Sequence, residues 1–91
     1  MSLNRRNPRR DLNERRIVAA LEKAGAMVYR LSAPGLPDLL VGHRKRWLLL
    51  EVKGPRGKLE PLQHQFHLTA ACLGLPCHVV STEEQALEIL K

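Results

Sequence analysis

Glu51-Val52-Lys53 and Pro37-Asp38 hold the residues of this chain best suited to chemistry. Side chains alternate along a strand, so Glu51 and Lys53 project from one face while Val52 and Leu50 point to the other. If the chain turns back at Arg44-Lys45 with His43 opposite Arg46, a constant-sum register sets Asp38 opposite Glu51. Facing residues on antiparallel strands are ~4.5–5.5 Å apart, and two carboxylates that close need positive charge between them. Lys53 could supply it, or a divalent metal such as Mg²⁺, which binds one or two carboxylates, keeps waters and takes phosphate oxygens for the rest of its shell. The commonplace alternative for Glu-Val-Lys alone is a solvated surface ion pair. Pro-Asp at matching register favours the metal, and a one-residue slip would undo the match.

The elements around these residues follow from apolar spacing and breakers. Ile17, Val18, Leu21 and Ala24 recur at helical spacing before Gly25, with Asp11 and Glu14 available as a capping box. A strand is expected over residues 26–31, before the breakers of 32–37. Two apolar runs, 38–42 and 47–53, flank the bases of 43–46 and read as a hairpin whose turn lacks an Asn-Gly signal. Pro61 opens a helix with Phe66, Ala70 and Leu73 along its apolar side and Gly74 as its stop. Residues 77–81 form a last short strand, and Ser81 with Glu84 would cap a helix to Lys91. The order α-β-β-β-α-β-α fits an α/β or α+β sandwich.

Ninety-one residues allow one domain with a thin core, which makes a homodimer a reasonable expectation. The domain is expected over residues 11–91, after a flexible basic arm at 1–10. Fifteen Lys and Arg against nine Asp and Glu give a net charge of +6, which points to nucleic acid before other partners. No apolar run approaches the ~20 residues of a membrane helix, and no signal-peptide pattern opens the chain. Cys72 and Cys77 give no disulfide framework, so a reducing, cytoplasmic setting is expected.

Gly35-Leu36-Pro37-Asp38-Leu39-Leu40 followed by Leu50-Glu51-Val52-Lys53-Gly54 resembles the PD-(D/E)xK nuclease signature. Gly57-Lys58-Leu59-Glu60-Pro61-Leu62-Gln63 is similar to the next block of one branch, the virus-type replication–repair nuclease (VRR-NUC) domain. The resemblance spans about residues 14–81. It implies a restriction-endonuclease-like core with a mixed sheet flanked by helices. It also implies an Mg²⁺- or Mn²⁺-dependent DNA endonuclease of phage or bacterial type, similar to Holliday-junction resolvases. By the same resemblance Asp38, Glu51 and the Val52 carbonyl hold the metal, Lys53 positions the attacking water, and Gln63 lies near the site. Glu14 fits a first-helix glutamate that completes the metal site in the family, with the capping box as its alternative.

Other signals are weaker. Gly54-Pro55-Arg56-Gly57-Lys58 lacks Walker spacing and reads as a basic loop touching DNA phosphate, or a plain turn. His64, His67, Cys72, Cys77 and His78 lack the tight cysteine pair of structural zinc, so ordinary packing and solvation are expected. Arg5, Arg6, Arg9, Arg10, Arg15 and Arg16 crowd into twelve positions, which favours phosphate contact over a merely solvated face. Arg44, Lys45 and Arg46 could join that surface or guard a sheet edge. With only Tyr29, Trp47 and Phe66 aromatic, base stacking along a single strand is poorly supported. The rival readings are a catalytically silent DNA-binding module of the same fold and a small RNA-binding protein with a structural acidic pair.

Overall fold

The computed structural model describes residues 8–91, and side chains from Leu12 onward. Its elements are α1 (Pro8–Lys23), β1 (Met27–Arg30), β2 (Leu39–His43), β3 (Arg46–Val52), α2 (Pro61–Leu73), β4 (Cys77–Val80) and α3 (Glu83–Leu90). The strands form a single sheet in the order β1-β2-β3-β4. β1, β2 and β3 run antiparallel in succession, and β4 lies parallel to β3 after the α2 crossover. The expected element order and mixed sheet are therefore present. Among the described residues no helix is long and apolar enough to cross a membrane.

The core lies between one face of the sheet and the pair α1 and α3. Ile17 and Leu21 from α1 meet Leu39 and Val41 of β2, Leu48, Leu50 and Val52 of β3, Val80 of β4, and Ala86 and Leu90 of α3. Alternation along β2 and β3 delivers these side chains to one face, and each large one buried stabilises by about 1.5–3 kcal/mol. α2 packs on β4 and contributes only Ala70 as a buried residue. Leu73, expected on the apolar side of that helix, is exposed. Gly74 ends α2 in the left-handed conformation, its N–H turned back to the Ala70 and Ala71 carbonyls.

Two local expectations are corrected, and the expected hairpin turn proves to be of a specific kind. α1 begins by Pro8, within the stretch expected as an arm, so Asp11 sits inside the helix and cannot be its cap. Pro8 suits a first turn because its missing N–H would have no helical partner there. The cap of α3 is Thr82, not Ser81: Thr82 Oγ1 accepts from the Gln85 N–H at 3.0 Å, and the Ser81 N–H donates to Gln85 Oε1 at 2.6 Å. In the hairpin, Arg44 and Lys45 both take positive φ, 51° and 67°. Two such residues at the centre of a tight hairpin make the primed turn that follows strand twist, although neither is the usual Asn or Gly.

Candidate active site

The hairpin pairs His43 with Arg46 and Leu39 with Leu50, so the constant-sum register holds. Asp38 lies at a bend one residue before the ladder, where its side chain reaches the backbone of Val52, next to Glu51. The Leu31 N–H donates to the Asp38 carbonyl at 2.8 Å, which fixes the chain on entry to β2. Upstream, Gly35 has φ +81°, and a Cβ there would approach Leu62 Cβ to 3.1 Å. A glycine is needed both for that conformation and for the close passage of the Pro-Asp loop beneath α2.

Each acidic group is held by a specific donor. Asp38 Oδ2 accepts the Val52 N–H at 2.8 Å. Glu51 is fully buried, and its Oε2 accepts the Gln63 amide at 2.9 Å and lies 3.8 Å from Lys53 Nζ. The second carboxylate oxygen, Glu51 Oε1, is buried as well. The Lys53 N–H donates to the Val80 carbonyl at 3.0 Å, so β4 fixes the residue that carries the ammonium. Gln63 bridges two groups at once. Its Oε1 accepts the Glu60 N–H at 2.9 Å, closing the first turn of α2, while its amide holds Glu51. Buried polar groups satisfied this way form a rigid cluster, in which removing one partner strands the others.

Asp38, Glu51, Lys53 and Gln63 are thus brought together. Glu14 is not gathered with them. Its Oε2 accepts from Arg30 Nε at 3.0 Å, and among the described residues no three His, Cys, Asp or Glu converge as a metal-holding group. Glu14 is therefore not the capping partner of Asp11, which lies inside α1. Arg30 carried no signal in the sequence, because only the pairing of β1 with β2 brings it to the level of the site.

The expected phosphate contacts are dispersed. Arg5 and Arg6 lie outside the described residues, and Arg9 and Arg10 fall in α1 with their side chains undescribed. Arg15, Arg16, Arg44, Lys45, Arg56 and Lys58 are exposed. Arg46 serves the scaffold instead. Its Nη2 donates to the Ile89 and Leu90 carbonyls at 3.0 and 2.8 Å and caps the C-terminus of α3.

Of the five His and Cys residues weighed for zinc, one pair meets: Cys77 Sγ lies 3.5 Å from His67 Nδ1. Burial pushes the Cys77 thiol up to about 11, with the negative charge of Glu51 adding to the shift. A thiol in that state is no nucleophile near neutral pH. Burial also lowers the pKa of His67, helped by His64 and His78.

A solved structure described as a VRR_NUC domain superposes with a TM-score of 0.76 at 27% identity, covering 88% of this chain and 91% of that one. No family model and no curated protein matches the sequence.

Proposed function

Taking the VRR_NUC fold as given, we propose that this chain is a divalent-metal-dependent endonuclease hydrolysing DNA phosphodiester bonds. Its substrates are structured or branched DNA in replication, recombination or repair. The observation that carries this reading is that Asp38 accepts the Val52 N–H beside Glu51, with Lys53 Nζ 3.8 Å from the Glu51 carboxylate and Gln63 tying that carboxylate to α2.

The donor set fits Mg²⁺ or Mn²⁺. Both acidic groups offer hard oxygen ligands, no thiolate or imidazole stands among them, and two carboxylates are what Mg²⁺ takes when phosphate and water complete its shell. Asp38, Glu51 and the Val52 carbonyl would hold the ion. When bound, it supplies an acidified water and neutralises charge on the scissile phosphate.

The remaining work falls to the chain. The Val52 N–H fixes the Asp38 carboxylate, and Gln63 keeps Glu51 from rotating away. Lys53, nearly buried, brings a positive charge to where oxygens gain negative charge in the transition state, and burial strengthens that interaction. Arg15, Arg16, Arg44, Lys45, Arg56 and Lys58 supply salt-sensitive attraction to the phosphate backbone. The domain works as a homodimer, which the thin core and the exposed Leu68 and Leu73 of α2 support.

The test is a cleavage panel of duplex, flap and four-way DNA with Mg²⁺ or Mn²⁺, run beside Glu51→Gln and Asp38→Asn. Cutting that needs metal and is lost in both variants, with binding retained, is expected. Binding without cutting under every metal would leave a silent DNA-binding module instead. Cutting that persists in a chelator would remove the metal from the reaction.

A further inference from the structure

The helices cover the sheet unevenly. α1 and α3 close one face, whereas α2 lies over the β4 side of the other and reaches Glu51 through Gln63. On that second face the ladders align Met27 with Gly42 and Trp47, and Tyr29 with Leu40 and Leu49. Met27, Tyr29 and Trp47 remain 54, 51 and 53% exposed. The Trp47 indole lies flat across Gly42: a Cβ built there would sit 2.7 Å from Cζ3 and 2.9 Å from Cη2. Two of the three aromatic residues therefore share one open face, although their scarcity in the sequence gave base stacking little support.

Glu51 and Lys53 project from the same face by strand alternation, and Asp38 lies at the end of β2 beside them. Trp47 is four residues before Glu51 on β3, roughly 13 Å away at ~3.3 Å per residue. The turn that leads into Trp47 carries exposed Arg44 and Lys45, and Glu51 is the sole acidic residue within the four strands. An open face with exposed aromatics, positive charge at one end and no acid short of the site is complementary to a polyanion with unstacked bases. A second copy of the chain, itself at +6, would bring like charge to the same place.

We infer that this sheet face is a stacking platform for a single-stranded DNA segment next to the scissile phosphate, with Trp47 and Tyr29 receiving bases. The inference rests on the nuclease reading for the role of the segment, but its binding step requires no cleavage. It selects junctions, flaps or frayed ends, which offer unpaired bases, over continuous duplex.

Trp47 is the sole tryptophan, so its emission reports on the platform directly. The 91-residue chain in EDTA is titrated with oligothymidylate and with a duplex of equal length, binding being followed independently by anisotropy of labelled DNA. Oligothymidylate should quench the emission at saturation and duplex should not. Trp47→Ala and Tyr29→Ala should each weaken oligothymidylate binding about tenfold, in the range expected for one lost base stack, with Trp47→Phe keeping most of the affinity. Circular dichroism melts would establish that the variants fold. Saturated binding without quenching overturns the platform. So does emission that shifts with protein concentration alone while sedimentation shows a dimer, since a second copy then covers the face. Quenching without cleavage under any metal would sink the nuclease reading and leave the platform standing; cleavage without quenching would do the reverse.

Discussion

Replacing Gln63 by Glu isolates the bond on which the candidate site depends. The variant keeps an oxygen to accept the Glu60 N–H at the start of α2, so the helix loses little. It removes the amide that donates to Glu51 Oε2 at 2.9 Å and sets a second carboxylate in its place. Losing a hydrogen bond to a charged, buried group costs about 1.5–3 kcal/mol. Like charges ~4 Å apart at an effective dielectric near 20 repel by about 4 kcal/mol. Lys53 Nζ, 3.8 Å from Oε2, offsets part of this, which leaves a net destabilisation of roughly 3–5 kcal/mol. At about 4–8 °C per kcal/mol for a domain of this size, the melting temperature should fall by roughly 12–40 °C at neutral pH in EDTA. The loss should also depend on protons. A carboxyl pair sharing one proton titrates above the ~4.3 of an unfolded glutamate, so the folded variant binds more protons than the unfolded chain in between. Stability of Gln63→Glu should therefore rise as pH falls toward ~4.3, relative to wild type. Mg²⁺ should raise its melting temperature by more than it raises that of wild type, because a bound cation screens the pair. Calorimetry across pH, with and without Mg²⁺, reads all three effects. A variant that melts within about 2 °C of wild type, with no added pH or Mg²⁺ response, would refute the coupling of α2 to the buried carboxylate.

Other outcomes follow from the same geometry. Arg44→Asn with Lys45→Gly should stabilise the hairpin by about 1–2 kcal/mol in urea denaturation, because the natural pair holds positive φ without the residues that tolerate it. Thr82→Ala should cost about 1 kcal/mol by the same measurement, through loss of the Gln85 N–H acceptor. Because the pKa of His67 is lowered in the fold, the unfolded chain binds its proton first, so stability should drop as pH falls below about 6.5, and His67→Gln should flatten that drop. At neutral pH iodoacetamide should label the exposed Cys72 well before Cys77, as read by peptide mass, since the Cys77 thiol ionises only near 11.

The site was more legible in the sequence than its surroundings. Strand alternation and a two-residue turn were enough to set the β2–β3 register through Leu39 and Leu50, the neighbours of Asp38 and Glu51, because the sum rule holds wherever no bulge interrupts the ladder. The helix ends were less readable, since several residues could serve as caps. Asp11 with Glu14, and Ser81 with Glu84, each satisfy the capping pattern, yet α1 already includes Pro8 and Thr82 is the cap of α3. The roles of Arg30 and Arg46 come from neighbours 16 and 43 residues away in sequence, beyond any local pattern. The open face was hidden for a similar reason: Tyr29 and Trp47 come to one face only through β2, which lies between their strands.

Lys53 hangs from Val80, and Glu51 from Gln63, across the exposed loop Gly54–Gly57. Neither half of the chain can assemble the centre alone. A protease that nicks this loop would yield two pieces, one holding both acids and the ammonium, the other the scaffold that locks them. Mixed together, such pieces should regain as a pair the ordered cluster that each lacks in isolation, and the domain is in that sense divisible into a complementing split protein.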